Sequence, residues 1–163
     1  MQFTQLDALT YVGSQISAAN LNDLKQLNVK TVIVARPEGE TADQPAISDL
    51  RDAAEALGIT VHQIPVVSGN ISDADVCAFG AITSEAGHPI FAYCRSGMRA
   101  TSLWALSAVE QGHSPDEILH VAHAAGFDLT AVAARLATNA AQLQDKKVTA
   151  NEHDATGKIS AHP

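Results

Sequence analysis

Residues 89–100, PIFAYCRSGMRA, place a cysteine and two arginines directly after a short apolar run. The run "PIFAY" (89–93) is rich in aliphatic and aromatic residues, which is typical of a strand buried on both faces of a parallel sheet. Residues 100–111, with Leu103, Trp104 and other apolar side chains at helical spacing, predict a helix after it. Cys94 is therefore predicted to lie at the carboxyl end of a strand, where open α/β sheets place their ligand sites.

Three further apolar runs predict the rest of a sheet. They are "TYVG" (10–13), "TVIVA" (31–35) and "VHQIPV" (61–66), and helical patterns at 17–28 and 44–58 lie between them. Strands that alternate with helices imply right-handed crossovers and parallel pairing. We therefore predict an α/β fold in which a central, mostly parallel sheet of four to five strands is flanked by helices.

The half of the chain after the cysteine is predicted to be helical. A second helix begins at the capping sequence "SPDE" (114–117), and a third is predicted over 129–143. Residues 144–163 are polar, unpatterned and free of aromatic side chains, so they are interpreted as a mobile tail. The predicted organisation is one domain over 1–143 followed by that tail.

Composition excludes several classes of protein. A chain of 163 residues that is 46% hydrophobic forms one ordinary globular domain, and a net charge of −8 argues against a nucleic-acid or anionic-membrane partner. Two cysteines are too few for a disulfide framework, and neither a signal peptide nor a membrane-spanning run is apparent. These features predict a cytoplasmic protein.

The residues after the strand carry the candidate chemistry. The backbone N–H groups of 95–99 and the start of the next helix can form an anion-binding nest that favours a thiolate at Cys94. Arg99 can hold an oxyanion through two parallel hydrogen bonds. We predict Cys94 and Arg99 to be catalytic. The residues predicted to bind substrate are Arg95, Ser96, Gly97 and Met98, mainly through their backbone, together with Arg36 and Ser68.

Other residues have weaker signals. Arg36 and Glu40 in "ARPEGE" (35–40) follow a core strand and are candidates for the rim of the site. Cys77 falls within a predicted helix and is expected in the core. The histidines form no metal-binding pattern, and no phosphate-binding or dinucleotide motif is present, so we expect neither a metal nor a cofactor.

Three segments resemble one protein family. They are "YVGSQISAANLNDLKQLNVKTVIVARPEGE" (11–40), "VHQIPVVSG" (61–69) and "YCRSGMRA" (93–100). Together they resemble the phosphatase-like domain of beta-lactamase-hydrolase-like proteins, a bacterial family also labelled as sulfur transferases. The resemblance implies a fold similar to dual-specificity phosphatases and a cysteine loop similar to that of rhodaneses. It also implies a persulfide dioxygenase or another sulfide-oxidising module as a possible partner.

The cysteine loop departs from the pattern of protein tyrosine phosphatases. Those enzymes generally have His before the cysteine, five residues before the arginine, and Ser or Thr after it, whereas this chain has Tyr93, four residues and Ala100. Ser68 stands near the position where dual-specificity phosphatases often carry an acidic residue. Asp73 and Asp75 are the possible general acids in its place.

Sulfur transfer requires fewer groups than phosphate hydrolysis, because a sulfane sulfur can move between thiolates without a general acid. The sequence therefore favours a sulfurtransferase that takes sulfur from an anionic donor, such as thiosulfate or glutathione persulfide, and passes it from a Cys94 persulfide to a thiol. Two alternatives stay open. One is a phosphatase acting on phosphoproteins through a phosphocysteine, and the other is an anion-binding interaction module.

Overall fold

The structure is a computed structural model that describes the backbone of residues 2–160 and the side chains of residues 2–148. Its five strands form one sheet in the order β1-β2-β5-β3-β4. They are β1 (Phe3–Asp7), β2 (Thr10–Gly13), β3 (Thr31–Val34), β4 (Thr60–Gln63) and β5 (Ile90–Tyr93). Only β1, at one edge, is antiparallel to its neighbour. The predicted α/β fold with a mostly parallel sheet is confirmed.

Helices cover both faces of this sheet. A short 3₁₀ turn over Ala18–Asn20 leads into the first of six helices. The helices are α1 (Leu21–Gln26), α2 (Ile47–Ala56), α3 (Asp73–Ala86), α4 (Met98–Glu110), α5 (Pro115–Ala124) and α6 (Thr130–Ser160). On one face α1 and α2 enclose one hydrophobic cluster, and on the other face α3 to α6 enclose a larger one.

The strand β4 ends earlier than the apolar run 61–66 that predicted it. Pro65 has no N–H group to donate to the ladder, so regular pairing stops at Gln63. The N–H groups of Ile64 and Val66 still donate to carbonyls of the β3 side, at 2.9 Å each. This extension carries residues 64–66 along the carboxyl end of the sheet, next to the cysteine loop.

Helix α4 is the central helix of the larger cluster. Residues 99–109 of its sequence are all buried, and it packs against α3, α5 and α6. A helix enclosed in this way has little freedom to shift, because each displacement would open gaps in a densely packed core. The start of α4, which carries the cysteine loop, is therefore held rigidly against the sheet.

The last helix is longer than predicted. The apolar pattern predicts an end at residue 143, but α6 continues to Ser160. Residues 144–160 contain no proline and include three lysines and two alanines, which are good helix formers, so a helix can continue without an apolar face. The expected tail falls partly outside the described residues, since residues 161–163 and the side chains from 149 onward are not described. The domain boundary at 143 stays a prediction.

The structure places Cys77 differently from the sequence-based prediction. Cys77 is predicted to lie in the core, but it is exposed, because it lies on a face of α3 away from the buried Val76 and Phe79.

Among the described residues, no helix is both long and apolar enough to cross a lipid bilayer. The cytoplasmic location stays a prediction.

Candidate active site

The cysteine loop is fixed to the sheet by backbone hydrogen bonds. Cys94 directly follows β5 and is 1% exposed. Its N–H donates to the carbonyl of Gly13 at 3.4 Å, and the N–H of Gln15 donates to the carbonyl of Arg95 at 3.3 Å. The N–H of Gly97 donates to the Cys94 sulfur at 3.1 Å. The loop therefore encloses the sulfur with at least one backbone donor directed at it.

Gly97 is required where the loop turns into α4. Its φ of +99° lies in the left-handed region, and it forms the N-cap of the helix. The backbone N–H and the hydroxyl of Thr101 both donate to its carbonyl, at 2.9 and 2.8 Å. A Cβ at this position would lie 3.0 Å from the Phe127 ring and 3.3 Å from the carbonyl oxygen of Gly13. Both backbone strain and crowding thus oppose a side chain here.

We expect Gly97→Ala to destabilise the protein by about 1–3 kcal/mol, the typical cost of a non-glycine residue in such a conformation. Activity should fall further than stability alone explains, since any shift of residue 97 moves the N–H that donates to Cys94. Chemical denaturation and steady-state kinetics would measure both effects. Gly112→Ala is a matched control, because Gly112 also has positive φ (+98°) but has no atom near its would-be Cβ. Equal kinetic effects of the two variants would contradict this role for Gly97.

Arg99 is buried (9% exposed) and held by three hydrogen bonds on one side. Nη1 donates to Glu40 Oε2 and to the Val66 carbonyl, both at 2.8 Å, and Nη2 donates to Glu40 Oε1 at 2.9 Å. A guanidinium has five N–H donors, so Nε and one hydrogen of Nη2 are left on a single edge. The hydrogen bonds to Glu40 raise the pKa of Arg99, and the neighbouring Cys94 adds to this. That free edge suits a bidentate oxyanion.

Glu40 connects the two buried arginines of the site. Besides Arg99, it accepts a hydrogen bond from Nε of Arg36 at 3.0 Å. The bond from Arg99 is the main cause that lowers the pKa of Glu40 to about 2, and Arg36 contributes to the same direction. The sequence predicts Glu40 only at the rim of the site. Its bidentate contact with Arg99, 59 positions away in the sequence, could not be read from local spacing.

We expect Glu40→Gln to lower kcat/KM roughly tenfold or more, because a neutral amide holds the Arg99 guanidinium less firmly than a carboxylate does. The contribution of Glu40 to folding should also depend on pH. Its pKa is lower in the folded protein, so the stabilisation is present above about pH 4.5 and is lost as pH falls toward about 2. Urea denaturation of both proteins between pH 3 and 7 would test this. A stability difference that grows on acidification would contradict it.

A cavity of about 410 Å³ opens beside the cysteine loop. It lies between the loop, the segment after β4, and α6. Its lining residues are Ser68, Gly69, Ile71, Arg95, Ser96, Met98, Arg99, Ser102, Ala131, Val132 and Arg135. Three of these residues are arginines and none is acidic, so the cavity favours an anion.

The cavity brings together half of the sequence-predicted site residues, and the buried Cys94 is not among those that line it. Arg95, Ser96, Met98, Arg99 and Ser68 line it. Gly97 is buried in the loop behind it. Whether these residues act in catalysis or binding stays a prediction. Sequence reasoning missed Arg135 and Ser102. Ser102 lies on α4 one helical turn after Met98, whose carbonyl accepts a hydrogen bond from its hydroxyl, so helical spacing could have found it. Arg135 lies on α6, and only tertiary packing brings it to the loop.

Arg36 does not line this cavity. It is 4% exposed, and its guanidinium donates to Glu40, to Gln15 Oε1 and to Thr41 Oγ1, each at 3.0 Å. Because these partners enclose its side chain, Arg36 helps to fix the position of the Glu40 carboxylate. A direct contact between Arg36 and a substrate stays a prediction.

The two aspartates considered as general acids also lie outside the lining. Asp73 has a side chain that is 96% exposed and accepts a hydrogen bond from Nη2 of Arg135 at 2.8 Å. Asp75 accepts from the N–H of Ser72, whose hydroxyl accepts from the N–H of Asp75, in a capping box at the start of α3. Both carboxylates are thus engaged in hydrogen bonds at the start of α3, and neither is among the residues that line the cavity.

Tyr93 occupies the position before the cysteine. It is 1% exposed and stacks on Phe91, with ring centroids 6.0 Å apart. Burial raises the pKa of Tyr93 to about 12, so the phenol is neutral at physiological pH. It packs in the cluster beneath α1 and α2, which is on the opposite face of the sheet from α4.

A second cavity, of about 490 Å³, lies at the other end of the sheet. It is lined by residues 6–10, where β2 begins, and by side chains of α3, α4 and α5. Within it, Nε1 of Trp104 donates to Asp7 Oδ2 at 2.8 Å. No residue of the cysteine loop lines it.

Among the described residues, no cluster of His, Cys, Asp and Glu side chains could hold a metal ion.

A buried cysteine between a parallel strand and a helix, with a fixed arginine five positions later, defines a cysteine-phosphatase-like domain. The similarity to solved structures agrees with this class. PTPMT1 superposes with a TM-score of 0.72 at 14% identity, covering 91% of this chain and 99% of that chain, which shows the shared fold. A candidate phosphatase from Neisseria meningitidis superposes with a TM-score of 0.75 at 34% identity, covering 83% of this chain and 96% of that chain.

Sequence comparison identifies the family. The model of the beta-lactamase hydrolase-like protein, phosphatase-like domain, matches residues 3–111, and the chain belongs to this family. The Agrobacterium fabrum beta-lactamase hydrolase-like protein is 33% identical over 132 residues, which cover 80% of this chain and 31% of that protein. The chain thus spans about a third of the length of this relative. The family suggested by the three sequence segments is confirmed.

Proposed function

We propose that the protein is a cysteine-dependent phosphatase that hydrolyses phosphate monoesters through a phosphocysteine at Cys94. The observation that carries the proposal is the free Nε–Nη2 edge of Arg99 beside the enclosed Cys94 sulfur, in a phosphatase-like fold. Phosphatase-like neighbours support this chemistry better than the sulfur transfer that the sequence analysis favoured. The phosphatase alternative therefore becomes the main proposal.

The reaction would proceed in two displacements. The Cys94 thiolate attacks phosphorus, an S–P bond forms, and the P–O bond to the leaving group breaks with its electron pair on that oxygen. Arg99 and the loop N–H groups stabilise the negative charge on the phosphoryl oxygens. Water then attacks phosphorus, the S–P bond breaks, and phosphate and the thiolate are released.

The nature of the lining restricts the leaving group. Among the described residues no carboxylate lines the cavity, so no acid stands beside the leaving oxygen in this conformation. Ser68 is at the cavity, but a hydroxyl is too weak an acid to protonate an alkoxide. We therefore propose that the substrates are phosphate monoesters whose leaving groups need little protonation, such as aryl phosphates, rather than phosphoserine or phosphothreonine.

Hydrolysis of a matched substrate series tests this proposal. In a series of aryl phosphates, kcat/KM should rise steeply as the pKa of the leaving phenol falls. Alkyl phosphates should be slower by about 10²–10⁴, the usual contribution of a general acid. Efficient phosphoserine hydrolysis, with a loss of activity at high pH that disappears in Asp73→Asn or Asp75→Asn, would overturn the leaving-group proposal. It would assign the acid to that aspartate.

Sulfur transfer is the second candidate, and the short loop favours it. Only four residues separate Cys94 from Arg99, and Ala100 offers no hydroxyl to assist departure of a thiolate from phosphorus. In this reaction the thiolate attacks the outer sulfur of thiosulfate, the S–S bond breaks, and sulfite leaves. A thiolate acceptor then removes the outer sulfur from the Cys94 persulfide. A persulfide dioxygenase would be a suitable partner for such an activity, whereas a phosphoprotein would be a partner only for a phosphatase.

A further inference from the structure

The cavity beside Cys94 carries charge opposite to that of the whole chain. The chain has a net charge of −8 and only five arginines, yet three of them line this one cavity. No Asp or Glu is among its lining residues within the described part of the chain. Arg99 is paired with Glu40, and Arg99 and the loop N–H groups already face the transferred group, so that group does not require the other two arginines.

Arg135 supplies the part of this charge that the cysteine loop does not explain. It comes from α6, on the wall of the cavity formed by Ala131, Val132 and Arg135. The family match ends at residue 111, so Arg135 lies outside the matched segment.

The guanidinium of Arg135 is held by two hydrogen bonds and keeps N–H donors that these bonds do not use. Nη1 donates to the carbonyl of Ile71 at 2.6 Å, and Nη2 donates to Asp73 Oδ1 at 2.8 Å. These two bonds leave three of its five N–H donors. The side chain of Asp73 is 96% exposed and that of Arg135 is 32% exposed, so the carboxylate lies on the solvent side. An ion pair with so exposed a partner is weak and leaves most of the arginine's charge available to the cavity.

We propose that the site takes a substrate with a second anionic group, and that Arg135 binds this group while Arg99 binds the transferred one. Arg95, exposed at the mouth of the same cavity, adds to the field. This inference rests on the proposed function. The substrate class is therefore a phosphate monoester that also carries a carboxylate or a second phosphate. Arg135 is then a specificity-determining residue.

Binding without turnover tests this directly. The protein carrying Cys94→Ser is titrated by calorimetry with phenylphosphonate, 4-carboxyphenylphosphonate and the neutral isostere 4-carbamoylphenylphosphonate. We expect the carboxylate compound to bind at least about tenfold more tightly than the carbamoyl compound, as for a charge-assisted hydrogen bond. A bisphosphonate with the same spacing reports whether phosphate serves as well as carboxylate. Arg135→Gln should remove the preference, and Arg135→Lys should restore part of it.

Asp73→Asn is the matched control, because it breaks the same ion pair and keeps the charge of Arg135. The preference for the carboxylate compound should persist or increase in this variant. Equal affinity for the two compounds in the Cys94→Ser protein would overturn the proposal, and so would a preference that survives Arg135→Gln. A preference lost equally in Arg135→Gln and Asp73→Asn would show that Arg135 only anchors the segment 68–73. Turnover is measured separately, so a preference without phosphatase activity refutes the proposed reaction and retains the second anion site.

Discussion

Replacing Cys94 with Ser is expected to reduce turnover by at least roughly 10⁴-fold, because a serine hydroxyl is a far weaker nucleophile than a thiolate. The fold should be unaffected, since the substitution changes one buried atom and leaves the backbone bonds of the loop in place. Steady-state kinetics and a denaturation curve measure the two properties.

The chain contains its own control for this substitution. Cys77 is exposed on α3, and it is not among the residues that line the cavity. Cys77→Ser should therefore retain the kinetics of the wild type. Residual turnover of Cys94→Ser within about tenfold of wild type would show that the sulfur is not the nucleophile. A loss of turnover in Cys77→Ser would show that the second thiol takes part.

Arg99→Lys is expected to lower kcat/KM by about 10²–10³, the range found when one oxyanion donor is removed, although the charge is retained. An ammonium group has three donors. It cannot bond both Glu40 oxygens and the Val66 carbonyl and also present two parallel donors to an oxyanion. The planar fork of the arginine does both.

Arg51→Lys is a suitable control for this exchange, because Arg51 lies on α2 and is exposed. It should leave kcat/KM unchanged. Near-wild-type turnover of Arg99→Lys would indicate that positive charge alone is needed at this position. The bidentate geometry would then have no catalytic role.

The sequence predicted the elements whose signals are local. Buried parallel strands such as 90–93 appear as continuous apolar runs, and a cysteine followed by Gly97 and Arg99 marks the loop that follows. Strand β1 gave no such signal, because only Leu6 of its five residues is buried. The edge strand depends on pairing with β2 rather than on its own pattern.

The rest of the site depends on contacts between distant segments. Glu40 and Arg135 are ordinary surface-type residues in the sequence. They reach the site only because β3 ends beside β5 and α6 packs on α4. No spacing rule connects Glu40 with Arg99, so the contact that holds the Arg99 guanidinium could not be predicted. The exposure of Cys77 depends equally on which face of α3 meets the core.

The identity of the group that Cys94 accepts is the central question for this protein. Intact-protein mass spectrometry after rapid mixing with an aryl phosphate, and in parallel with thiosulfate, addresses it directly, with Cys94→Ser as the blank. We predict that the aryl phosphate adds one phosphoryl group to the wild-type protein, that the adduct maps to Cys94, and that the blank gains none. Addition of a single sulfur atom to Cys94 from thiosulfate, with no phosphoryl adduct at any time point, would contradict the phosphatase proposal and assign the protein to sulfur transfer.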